Sequence, residues 1–87
     1  MNRNEAQTII REIEDRCNLT EKGRENVLWL EDAKNWVEGK EGFGIVVSVS
    51  QLDGKQIHNS ILVAYDNQKE IQVASRDDKA IMIIYTP

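Results

Sequence analysis

The spacing of apolar residues changes at Gly44, and that change limits the chain to an α+β architecture. Before Gly44 apolar side chains recur every three or four residues, as on a helix; after it they alternate, as on a strand. Runs of helix followed by runs of strand within 87 residues predict a single domain. N-terminal helices should pack on an antiparallel sheet of four strands, or five.

Residues 4–17 read as an amphipathic helix. Ala6, Ile9, Ile10, Ile13 and Cys17 fall on one face, and Arg11, Glu12, Glu14, Asp15 and Arg16 point away from it. Asn2 or Asn4 can cap its start, where Glu5 also suits the helix dipole. Thr20-Glu21-Lys22-Gly23 predicts a turn. Residues 25–38 admit two readings. As a helix from about residue 27 or 28 to 38, Trp29, Leu30, Ala33, Trp36 and Val37 share one arc, while Val27 and Leu28 fall outside it. The alternative is a short strand over 26–30 followed by a two-turn helix over 31–38. The helix is the preferred reading, and Gly39 ends it in either case.

In the second half Ile45, Val47 and Val49 alternate with Val46, Ser48 and Ser50 as in a half-buried strand. Asp53-Gly54 predicts a type I′ hairpin turn. A strand over 55–65 then follows, with His58-Asn59 as a bulge within it. Asp66–Lys69 is a second turn, and 70–75 a strand with Ile71 and Val73 inward. Arg76-Asp77-Asp78-Lys79 is a third turn, and the last strand covers 80–85. That strand is apolar on both faces through Ile81, Met82, Ile83 and Ile84, so it belongs in a sheet centre or beneath a cover on each side. Successive hairpins predict a meander.

Charge narrows the function classes. The net charge is −4, and the 11 Lys and Arg residues never occur side by side. Phosphate backbones and anionic bilayers are bound by basic patches, so direct binding to nucleic acid or membrane is disfavoured. The sequence has one cysteine, no leader-like apolar segment near Met1, and no apolar run of the ~18–20 residues a bilayer span requires. A reducing cytoplasm is the expected compartment.

Catalytic, cofactor and metal constellations are not found in the sequence. Gly39, Gly42 and Gly44 precede a strand, whereas a phosphate cradle needs a helix N-terminus after its glycines. His58 is the only histidine, and Ser48, Ser50, Ser60 and Ser75 lie outside any G-x-S-x-G setting. Cys17 sits on the apolar helix face, which suits packing better than nucleophilic chemistry. Asp53, Asp66 and Asp77-Asp78 occupy turns, where Asp bonds to the local backbone. None of them has calcium-loop spacing. A non-enzyme without cofactor or metal is expected.

The segment 25–41 is the expected contact surface. It interleaves Trp29 and Trp36 with Glu25, Glu31, Asp32 and Glu38, and a small domain cannot easily bury two tryptophans. Tryptophan anchors and carboxylates together suit a larger, basic-surfaced protein, and predict a small inhibitor or accessory module. The order helix, Glu25-Asn26-Val27-Leu28-Trp29-Leu30, acidic helix and antiparallel strands resembles the phage uracil-DNA glycosylase inhibitors. Those proteins imitate DNA with an acidic residue beside a Ser-Ile pair on an edge strand, and with a hydrophobic pocket. The corresponding stretch here is Glu25-Asn26-Val27, with Asn in place of Ser; Trp36 stands where an acidic helix residue belongs. The resemblance covers about the middle third of the chain and implies a DNA-mimic inhibitor as one alternative. Another is a small-ligand or nucleotide-binding protein, formed as a homo-oligomer through apolar residues of the last strand.

Overall fold

The computed structural model describes residues 1–19 and 26–87. The turn expected at Thr20–Gly23, and Glu25, lie outside the described residues. Two helices pack on a four-stranded antiparallel sheet, the α+β class expected, although one strand precedes Gly44 and one helix follows it. The elements run α1 (Arg3–Cys17), β1 (Leu28–Asp32), β2 (Phe43–Ser48), α2 (Gly54–Asp66), β3 (Glu70–Arg76) and β4 (Lys79–Tyr85). In the sheet the strands are ordered β1-β2-β4-β3.

Helix α1 forms where its pattern places it. The Asn2 side chain accepts the Glu5 backbone N–H at 2.8 Å, and Asn18 closes the other end in the left-handed conformation. Ala6, Ile9, Ile10, Ile13 and Cys17 are all buried.

Two expected elements are different. The helix expected from 27 or 28 to 38 is strand β1 followed by a short 3₁₀ turn over Ala33–Asn35. Leu28 and Leu30 face the helices and Trp29 faces the other way, so alternation, not helical periodicity, organises the segment. The two residues that fell outside the helical arc, Val27 and Leu28, carried the signal for this. The strand expected over 55–65 is helix α2. Asp53-Gly54 is its N-terminus rather than a hairpin: Asp53 Oδ1 accepts the Gln56 N–H at 2.8 Å, and Gln56 Oε1 accepts the Asp53 N–H at 3.0 Å. This capping box satisfies two backbone donors at once, and D-x-x-Q spelled it in the sequence. His58 accordingly lies on a helix, not at a bulge, as does Ser60. The type I′ geometry occurs instead at Asp77 and Asp78, both at positive φ (53° and 62°), between β3 and β4.

The sheet is not a meander. From β2 the chain passes through α2 to the far edge and returns as β4 between β3 and β2, so β2 pairs with β4 and not with β3. This puts the two-sided apolar strand β4 inside the sheet, with Ile81 to Tyr85 buried. The oligomer interface expected on the last strand is therefore unavailable, because its apolar residues already form core.

The strands separate two apolar layers. On one face α1 and α2 cover Leu28, Ile45, Val47, Met82 and Ile84. The helices are laced together by Gln56 and Asn59 side chains donating to the carbonyls of Cys17 and Arg16, and by the Arg16–Asp66 ion pair at 3.2 Å. The Cys17 thiol, buried as expected, donates to the Gln56 carbonyl at 3.3 Å. The opposite face, called outer below, presents Val46, Ile81, Ile83 and Tyr85. It is covered by the connection between β1 and β2, through Ala33, Trp36 and Val37. Gly42, at φ +76°, ties this connection down: a Cβ there would lie 2.7 Å from the Met1 carbonyl oxygen. No described helix is long and apolar enough to cross a membrane.

Candidate functional site

The outer face is not covered to its end. The connection over 33–42 shields the part near Tyr85, and beyond it opens a cleft of about 490 Å³ beneath the tryptophans. Trp29, Trp36 and Ile81 give it apolar walls, and Asn26, Ser48 and Gln51 supply neutral polar groups. Arg76, Asp77 and Lys79, from the β3–β4 hairpin, line the other side.

The two tryptophan walls are positioned differently, Trp29 by strand pairing and Trp36 by the turn after β1. Trp29 lies opposite Val46 in the β1–β2 ladder, which aims its side chain at the outer face. Trp36 follows the 3₁₀ turn, whose backbone is anchored by Trp36 N–H to the Ala33 carbonyl at 3.0 Å. The Trp36 indole N–H donates to Glu31 Oε2, so a strand carboxylate orients the ring. On its face the ring carries Arg76, whose guanidinium carbon is 3.7 Å from the ring centroid. One tryptophan is thereby held by an acid from β1 and a base from β3, elements at opposite edges of the sheet.

Of the sequence-predicted contact residues, Trp29 and Trp36 line this cleft, and Glu31 reaches it only through its bond to Trp36. Asp32 is exposed at the end of β1 and alternates to the opposite face from Glu31; Glu38 is exposed in the connection. Sequence reasoning missed Arg76 and Lys79. Their local signal was that of a turn, and only the β2–β4 and β3–β4 pairings carry that turn to the tryptophans. Asp77 lines the cleft for the same reason.

The covered part of the outer face holds Tyr85, which lies directly across from Glu70 in the β3–β4 ladder. Its hydroxyl sits above the ordinary tyrosine range, first because burial disfavours the phenolate, and next through a hydrogen bond to Glu70 and that residue's negative charge. The Lys40 ammonium lies 5.7 Å from the Tyr85 ring centroid.

His58 is exposed on α2, on the other side of the sheet from the cleft. Among the described residues no three His, Cys, Asp or Glu side chains converge as a metal site would require. No family model, curated protein or solved structure gives a significant match to the chain.

Proposed function

We propose that the chain is a non-enzymatic protein-binding module, an inhibitor or accessory of a larger protein, and that the outer-face cleft is where its partner docks. The observation that supports this reading is the pair of half-buried tryptophans walling an open cleft. Tryptophan is enriched among binding anchors, and one held by fixed neighbours offers a large apolar surface and loses little conformational freedom on contact. Glu31 and Arg76 hold Trp36 before any partner arrives, which reduces the ordering cost of association. Exposed Glu38 in the connection that covers this face, with Asp32 exposed at the end of β1, adds negative charge that favours encounter with a basic surface. The single cysteine supports a cytoplasmic setting.

The test begins with affinity capture from host lysate, using the wild-type chain and a folded Trp29→Ala variant as parallel baits. A partner retained by the first and lost by the second is then measured kinetically. Truncating Trp29 should raise the dissociation rate by about 30-fold, the equivalent of ~2 kcal/mol. Asp32→Lys with Glu38→Lys should slow association and change its salt dependence. Equal retention by both baits refutes the placement at the cleft.

A second reading has one observation in its favour. The cleft volume falls in the range of small-molecule sites (~300–1,000 Å³), and Arg76 and Lys79 beside an aromatic wall suit an anionic, planar ligand such as a nucleotide. Saturable heat on titration with nucleotides, abolished by Lys79→Glu, favours this reading over a protein partner.

A further inference from the structure

We infer that two copies of this chain pair through the free edge of β3, forming a continuous eight-stranded antiparallel sheet about a two-fold axis at Val73. The inference rests on the free edge of the sheet and shares one residue with the outer-face cleft, Arg76, which also stacks on Trp36.

The sheet has edges at β1 and β3. Strand β1 is five residues long and ends in Glu31-Asp32, charges that discourage further pairing. Strand β3, Glu-Ile-Gln-Val-Ala-Ser-Arg, is seven residues long, has no proline and carries charge only at its ends. Its backbone is in register to extend the sheet. In a two-residue hairpin the residues flanking the turn exchange hydrogen bonds, so Arg76, Ala74, Gln72 and Glu70 bond to β4. Ile71, Val73 and Ser75 therefore direct their N–H and C=O groups to the open side.

The strand complements itself in one orientation. Antiparallel pairing centred on Val73 sets Ile71 against the partner's Ser75, and Glu70 against the partner's Arg76, twice over. Both charged residues are on the outer face, because they pair with Tyr85 and Lys79 across the β3–β4 ladder. A parallel arrangement would bring like charges alongside each other, so the charge pattern selects the two-fold.

The helix face gives the apolar half of the interface. The flank of α2 carrying Asn59, Asp66 and Asn67 is bonded to α1. At 100° per residue the opposite flank, toward β3, carries Ile61 and, further outward, Tyr65, whereas Leu62 lies outward on the α1 side, one turn before Asp66. These side chains are 41%, 77% and 36% exposed, and Val73, which shares this sheet face with Met82, is 71% exposed. Among the described residues, Ile61, Tyr65 and Val73 are exposed large apolar side chains that border this edge. Helix α2 packs against β3 on this face, so α2 and the partner's α2 would flank the seam above the paired strands.

The test is the mass of the full chain in solution, by sedimentation equilibrium across a concentration series. The expected result is a monomer–dimer equilibrium reaching twice 10.0 kDa. Val73→Lys, at an exposed site, should retain the far-ultraviolet circular dichroism spectrum and weaken dimerisation by about tenfold or more, because two ammonium groups would meet at the axis. Glu70→Arg should also weaken it, and the swap Glu70→Arg with Arg76→Glu should restore it. Register is read by oxidation of cysteine variants. Residues paired at the axis have Cα atoms ~5.5 Å apart, within disulfide reach, so Val73→Cys should cross-link to itself and Ala74→Cys should not. A chain that is monomeric at every concentration overturns the inference. So does a dimer indifferent to Val73→Lys, or equal cross-linking by the two cysteine variants.

Discussion

Replacing Gly54 with alanine distinguishes a helix N-terminus from a hairpin turn by the sign of its effect. In a type I′ turn the glycine would sit at positive φ, and alanine there would cost about 1–2 kcal/mol. In the structure Gly54 is the first residue of α2, its φ is not positive, and an added Cβ meets nothing within 4 Å. Alanine then fits without strain and restricts the unfolded chain, a gain of about 0.4–1 kcal/mol. For a domain of this size that corresponds to a rise in melting temperature of roughly 2–8 °C. Asp53→Ala should act in the opposite direction. It removes the 2.8 Å acceptor of the Gln56 N–H, leaving the reciprocal bond from the backbone N–H of residue 53 to Gln56 Oε1 in place, at a cost of about 1 kcal/mol. Both variants are read by urea unfolding followed by circular dichroism, with the slope of the transition checked for constancy. A Gly54→Ala variant destabilised by 1 kcal/mol or so, with Asp53→Ala neutral, would refute the capped helix and reinstate the hairpin.

Three further outcomes follow from the same geometry. Gly42→Ala should destabilise by more than about 1 kcal/mol, since the residue sits at φ +76° and the new methyl would collide with the Met1 carbonyl; chemical unfolding measures it. Tyr85 is neutral in the fold and its hydroxyl is raised above the ordinary 10.0, so its contribution to stability is complete below pH 10. It is lost as pH rises through the higher folded value, and Tyr85→Phe should flatten that alkaline decline in a series of melts. Cys17→Ser should cost less than the ~1–3 kcal/mol of an unsatisfied buried hydroxyl, because the Gln56 carbonyl and Ser60 hydroxyl lie within 3.3 and 3.5 Å of the thiol; thermal unfolding decides it.

The sequence by itself determined the class of fold, because side-chain period is a local property and survives whatever the chain packs against. Helix α1 was legible to its cap, since Asn2, Glu5 and five apolar residues at helical spacing all agree. The central place of β4 was legible too: a strand apolar on both faces has nowhere else to go. The elements that tertiary structure decided are those with two locally acceptable conformations. The run Ile61-Leu62-Val63-Ala64-Tyr65 reads as a strand because every residue is apolar. As a helix it buries only Val63 and Ala64 and leaves the rest outside, an arrangement local propensity does not favour. The segment from Trp29 to Val37 satisfied a helical arc that left Leu28 out, and the ladder with β2 selected a strand over Leu28–Asp32 instead. The candidate site divides the same way. Trp29, Glu31 and Trp36 are close in sequence and were visible as a cluster, whereas Arg76 and Lys79 are brought to them only when β4 inserts between β2 and β3. That insertion depends on contacts across dozens of residues, and no local pattern of side chains encodes the pairing of one strand with another so far along the chain.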